Sequence, residues 1–258
     1  MSYLFQSATS TIKKGNSILY CYPTHEELYN NVVTYFIEKC NEVVKKKNCF
    51  SVVLSGGKTP EPIYRLLTSK KYKDQIPWKK IHFFFGDERT VDIDHPDSNY
   101  RMAKDSLFDK IEIPSENLHQ MYTGSKDLYF ECQVYESQLD RILPKNDHGV
   151  PIFDFIFLGL GEDGHTSSLF PDSTALDEVD RWVAPVYVEK LKSWRITVTF
   201  QIINNSSNIV FVVVGKNKAN IVKDIFLNGH HGKYPAESVT SKNTIYWFVD
   251  RGIGERLF

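Results

Sequence analysis

Short runs that are apolar at nearly every position alternate along this chain with stretches whose apolar residues return every third or fourth position. A strand that is apolar on both faces has to be covered on both, as in a parallel sheet with helices on either side. The strand candidates are residues 49–54, 81–85, 152–158, 182–188, 194–200, 209–214 and 244–249. Between them, Leu28, Val32, Tyr35, Phe36 and Cys40 keep helical spacing behind a capping box at Thr24 and Glu27, and Ile63, Leu66 and Leu67 do so after Pro60. A further helix is expected to start near Ser98. Another carries Leu128, Cys132, Tyr135, Leu139 and Ile142, and a last one carries Ala219, Val222 and Phe226 with Gly229 just past its end. Residues 144–151 read as a polar loop. The expected fold class is α/β with a mostly parallel sheet. With 258 residues and no linker, low-complexity tract or fixed-period repeat, one domain over residues 1–258 is expected.

Ligands of open α/β sheets bind beyond the carboxyl ends of the strands, so the loops there carry the functional signal. In Ser55-Gly56-Gly57-Lys58-Thr59-Pro60, paired glycines allow close backbone approach, Thr59 is placed to cap a helix and Pro60 suits its first position. Free amides and the helix dipole would make this an anion site; a plain tight turn is the alternative. It is no Walker A loop, because Val52 stands where that motif needs glycine. Gly86-Asp87-Glu88-Arg89 leaves a very apolar run and reads as either a solvated loop or part of a site, with Asp97-Ser98-Asn99-Tyr100-Arg101 turned to the same edge.

The most informative loop is Gly159-Leu160-Gly161-Glu162-Asp163-Gly164-His165-Thr166. It fits a dinucleotide fingerprint by spacing, but Pro171 leaves no room for the helix that fingerprint requires. What remains is a histidine in a glycine-rich turn two residues after an aspartate, either an oriented base or a structural residue. No metal spacing links the eight histidines, the pair His230 and His231 reads as surface loop, and no nucleophile elbow surrounds any serine. The net charge of -1 removes the broad basic footprint of a nucleic-acid or membrane-surface protein, so an anionic ligand needs a local cluster of cations. Cys21, Cys40, Cys49 and Cys132 form neither a zinc nor a disulfide pattern, and the N-terminus has no export signal, so a soluble cytoplasmic protein with reduced thiols is expected.

Leu54-Ser55-Gly56-Gly57-Lys58-Thr59-Pro60, Asp87-Glu88-Arg89 with Ser98-Asn99-Tyr100-Arg101-Met102, and residues 159–171 together strongly resemble the glucosamine-6-phosphate isomerase/6-phosphogluconolactonase family, on its lactonase side. Arg195-Ile196-Thr197 and residues 214–219 extend the resemblance to roughly residues 16–250. It implies a Rossmann-like α/β/α sandwich and hydrolysis of 6-phospho-D-glucono-1,5-lactone in the oxidative pentose phosphate pathway. Residue by residue, it implies a phosphate cradle at Gly56, Gly57, Lys58 and Thr59, with Arg195 and Lys218 as its cationic side. Arg89 would contact substrate, with Asp87 beside it, and His165 would be the general base; Asp163, two residues earlier, is placed to orient that ring, and either Arg89 or turn amides would steady the developing negative charge. Asp92 departs from the proline many members carry after the Asp87-Glu88-Arg89 run, which bears on that loop's shape only. The deaminases of the family typically have tyrosine in place of Arg89 and a different run after His165; a noncatalytic sugar-phosphate-binding protein is the other alternative. Lactone hydrolysis needs no metal or organic cofactor, and the implied partner is one sugar phosphate lactone, with no nucleic acid, no membrane and a monomeric state.

Overall fold

The structure, a computed structural model, describes residues 5, 7–229 and 232–258. His230 and His231, expected on a surface loop, lie outside these residues. The elements run in chain order from a hairpin, β1 (Ser10–Lys14) and β2 (Ser17–Tyr22), into the long helix α1 (His25–Lys47). Thr24 Oγ1 accepts from Glu27 N at 3.2 Å to start α1, as the capping box predicts, and Asn48 ends it in the left-handed region at φ 61°. Then come β3 (Phe50–Leu54), α2 (Glu61–Leu67), β4 (Ile81–Phe85), β5 (Asp87–Arg89), α3 (Asn99–Ser106), α4 (Leu128–Ile142) and β6 (Phe155–Leu158). The remainder is β7 (Val183–Val188), β8 (Ser193–Val198), α5 (Phe200–Asn205), β9 (Ile209–Val213), α6 (Ala219–Leu227), β10 (Ile245–Asp250) and α7 (Arg251–Gly254).

The main sheet has the order β1-β2-β10-β9-β6-β3-β4, all parallel except the edge strand β1. Strands β3, β6 and β9 are buried at every position, which is why their sequences read as continuous apolar runs. The crossovers through α1 and α2 step toward β4, whereas the one through α6 steps the other way; with right-handed connections they cover opposite faces. This is the expected Rossmann-like α/β/α arrangement, and the order reverses between β3 and β6. No helix among the described residues is long and apolar enough to cross a membrane.

Residues 182–188 and 194–200 depart from expectation. They form β7 and β8, which pair antiparallel with each other and, through β8, with β5 in a separate three-stranded sheet. The link between them is one short turn at Glu189–Leu191, and a parallel connection needs a dozen or more residues. Phe200 starts α5, residues 152–154 precede β6 outside the sheet, and residues 87–89, open to a loop reading, are the strand β5. Thr59 does not cap α2: the helix begins at Glu61, with Pro60 before it and no side-chain cap. The hairpin β1–β2 lies outside the expected strands because β1 has no buried residue and β2 never has more than two buried residues in a row.

Candidate active site

Where the strand order reverses, the loops after β3 and β6 diverge and leave a crevice. A cavity of about 300 Å³ occupies it, lined by nine of the ten residues singled out in sequence: Gly56, Gly57, Lys58, Thr59, Asp87, Arg89, His165, Arg195 and Lys218. Asp163 stands behind His165. A larger groove of about 820 Å³ runs beside Trp78 and Ile111 near the start of β4, but its lining carries no histidine or arginine.

Two buried tyrosines hold the strand exits. Tyr64, on α2, accepts from Ser55 N and donates to Ser55 O, both at 2.9 Å; Tyr135, on α4, accepts from Phe85 N at 2.8 Å and donates to Phe85 O at 3.1 Å. Each phenol thereby satisfies both polar groups of the residue where its strand turns into the site. The amides of Gly56, Gly57, Lys58 and Thr59 donate to no group among the described residues. Gly56 has to be glycine, since a Cβ there would sit 1.8 Å from Asn99 Oδ1.

Glu88 is buried at 4 % exposure and caps α3, accepting from the amides of Asn99 and Tyr100, each at 2.8 Å. Its neighbour Asp87 points the other way, accepting from Ser168 Oγ at 2.6 Å, while Asn99 Nδ2 donates to the Asp87 carbonyl at 2.8 Å. Glu88, Asn99, Ser168 and the two tyrosines were not among the expected site residues. The Asp87-Glu88-Arg89 and Ser98-Asn99 runs flagged the region, but the division of labour between Asp87 and Glu88 depends on strand pleat, which only pairing with β8 defines.

That pairing sets Arg89 directly opposite Arg195. Like charges in register destabilise a sheet, so this pair is a standing demand for an anion. Arg89 Nη1 is held by the Asp97 carbonyl, Arg195 Nη1 lies 3.9 Å from Asp87 Oδ2, and the buried Nε of both has no partner. Arg195 therefore comes from the middle of β8, not from an end of the parallel sheet. The Lys218 side chain, after β9, makes no hydrogen bond or ion pair among the described residues, while its backbone amide donates to Gly215 O at 3.0 Å. Burial disfavours the charged form of both Arg195 and Lys218, and nearby acidic groups only partly offset it. The buried Thr166 Oγ1 and Asn99 Oδ1 are also unpartnered beside the cavity.

In the same cavity, His165 Nδ1 lies 2.5 Å from Asp163 Oδ1, and the ring packs on Phe170 with centroids 4.0 Å apart. The turn is wound tightly enough that a Cβ on Gly161 would fall 2.0 Å from Nδ1, while Gly164 adopts φ +82° under the Tyr234 ring. Burial lowers the imidazole below its usual pKa, and Asp163 only partly restores it. Burial would raise Asp163, but hydrogen bonds from Lys190 and His165 outweigh that and hold the carboxyl at about 2. With Asp163 ionised and accepting at Nδ1, Nε2 is the nitrogen left to accept a proton in the cavity. No helix follows the glycine turn; residues 166 and 169 form a bridge instead, which rules out the dinucleotide arrangement.

At the switch point of a parallel sheet, one cavity thus gathers an oriented imidazole and the side chains of Arg89, Arg195 and Lys218, the arrangement of an α/β protein with a small-ligand site suited to an anion. Residues 23–247 match the family model described as glucosamine-6-phosphate isomerases/6-phosphogluconolactonase. A 6-phosphogluconolactonase of Synechocystis is 37 % identical over 220 residues, covering 85 % of this chain and 89 % of its own. The crystal structure of 6-phosphogluconolactonase from Thermotoga maritima superposes with TM-score 0.78 at 31 % identity, covering 91 % of this chain and 100 % of that one. The Trypanosoma brucei 6-phosphogluconolactonase structure gives TM-score 0.84 at 27 % identity, covering 96 % and 100 %. The chain belongs to the glucosamine-6-phosphate isomerase/6-phosphogluconolactonase family.

Proposed function

We propose that the protein hydrolyses 6-phospho-D-glucono-1,5-lactone to 6-phosphogluconate, the hydrolytic step of the oxidative pentose phosphate pathway. The observation that carries this reading is the His165–Asp163 pair facing Arg89, Arg195 and Lys218 across one cavity. The amides of residues 56–59, Arg195 and Lys218 hold the phosphate dianion, and Lys58 adds charge at the rim. With the phosphate anchored, C1 of the lactone lies within reach of His165. A water attacks C1 and its proton passes to Nε2, which is free to accept because the Asp163 contact holds the neutral ring's proton on Nδ1 and aims the ring. The tetrahedral oxyanion is stabilised by Arg89, and Asp87 fixes the Arg195 side of the pocket. Collapse breaks the bond from C1 to the ring oxygen, which leaves with the proton from His165 as the C5 hydroxyl; the new carboxylic acid then ionises. The distant phosphate contributes to rate as well as affinity, because binding energy there orients C1.

Freshly prepared lactone, assayed above its spontaneous hydrolysis, tests the reading against glucosamine 6-phosphate. Lactone loss unaffected by EDTA is expected; ammonia release from the amino sugar without lactone loss would assign the deaminase reaction instead, and binding without turnover a noncatalytic role. The same reading places the protein in the cytoplasm as a monomer folding as one domain over residues 1–258, to be checked by fractionation, sedimentation and a single cooperative thermal transition.

A further inference from the structure

The turn between β7 and β8 reaches back over the His165 loop and places Lys190 there. Its Nζ bonds Asp163 Oδ2, while His165 Nδ1 takes Asp163 Oδ1 at 2.5 Å, so the two oxygens of one carboxylate are divided between a lysine and the imidazole. The same Nζ lies 4.6 Å from the centroid of the Phe170 ring, and Phe170 in turn packs on His165 with centroids 4.0 Å apart. Lys190 is thus tied to both groups that hold the imidazole, from an element that carries neither of them. Its side chain is half exposed at 52 %, so a merely structural ion pair would contribute little to stability.

We propose that Lys190 is a positioning residue for His165: it locks the Asp163 carboxylate in the orientation that receives Nδ1 and draws on its charge, limiting how far that carboxylate can favour the imidazolium. The inference rests on His165 being the general base. An aspartate left alone with a histidine strengthens the base but also holds it protonated at a pH where a neutral ring is needed. Sharing the carboxylate with the lysine ammonium keeps the orientation and moderates the charge. The groups acting on the ring are Asp163 from its own turn, Lys190 from the β7–β8 turn and Asp87 from β5, with Arg89, Arg195 and Lys218 lining the same cavity. Burial first, and after it Lys190, lower the proton affinity of the ring, and the two carboxylates raise it.

The test compares wild type with Lys190→Met, which keeps the stem and removes the charge, Lys190→Gln as a second neutral variant, and Lys190→Arg. The His165 ring is titrated by NMR in the ligand-free protein, and kcat/KM is measured against pH. Both neutral variants should raise the His165 midpoint by about one pH unit and carry the acid limb of kcat/KM up with it. Activity would then be lost below the new midpoint and nearly retained above it, since only the neutral ring accepts a proton; Lys190→Arg should restore both curves. A midpoint that stays put in the folded Met or Gln protein, with activity reduced equally at all pH values, would overturn the inference and leave a structural ion pair. Failure of the base reading shows elsewhere: His165→Ala would then turn over normally whatever the titration of the lysine variants.

Discussion

Arg195→Ala separates binding from stability in a way the geometry makes unusual. Arg195 is 12 % exposed in its side chain, faces Arg89 across the β5–β8 pairing, and has Asp87 at 3.9 Å as its one ion-pair partner, with Glu88 and Asp97 acting on it more weakly. Its guanidinium hydrogen bonds to a phosphate should be worth ~1.5–3 kcal/mol, so their loss should reduce kcat/KM roughly 10- to 150-fold, chiefly through KM. Without ligand the sign reverses. Removing one of two like charges in register should relieve ~0.2–1 kcal/mol, a rise in Tm of up to ~4 °C for a chain this size. Thermal melts with and without inorganic phosphate read both effects: phosphate should stabilise wild type by mass action and the variant far less. A variant that melts more than ~4 °C below wild type with an unchanged KM would refute the reasoning and make Arg195 a structural strand residue.

His165→Ala should fold and retain KM within a few-fold but lose ~10²- to 10⁴-fold in kcat, and the wild-type acid limb should fall below the ordinary imidazole range, because burial lowers this ring. Gly161→Ala puts a methyl 2.0 Å from His165 Nδ1, and since a ring can move where backbone cannot, the expected result is a displaced base, kcat down on the order of 10²-fold with Tm little changed. His119, stacked 4.2 Å from Phe84 and 3.2 Å from His82, is held at about 4 by burial first and His82 second. The unfolded chain therefore takes up a proton near pH 6.5 that the folded chain refuses until about 4, so stability falls as pH drops across that window, by on the order of 3 kcal/mol; His119→Phe should flatten the slope in acid denaturation curves.

The adjacency of residues was enough to reveal β4 at Ile81–Phe85 to the residue, a helix carrying Leu128 through Ile142, the Thr24 cap and a helix start near Ser98, because periodicity and capping are local properties. The three loops that line the cavity were legible for the same reason: glycines, charges and a histidine at strand ends are read within a few positions. Tertiary structure decided what those loops face. Arg89 meets Arg195 only because β5 pairs with β8, and their opposition puts two like charges in register on the wall of one cavity. Lys190 reaches Asp163 from 27 residues away, across a turn whose strands carried no sign of leaving the parallel sheet. The Asp163–His165 contact was foreseeable as an Asp two residues before a His, but its partner on the second oxygen was not. Local sequence encodes which elements form and where they end; which distant side chains share a carboxylate or confront each other's charge is set by the packing of those elements, and the chemistry of the site depends on both.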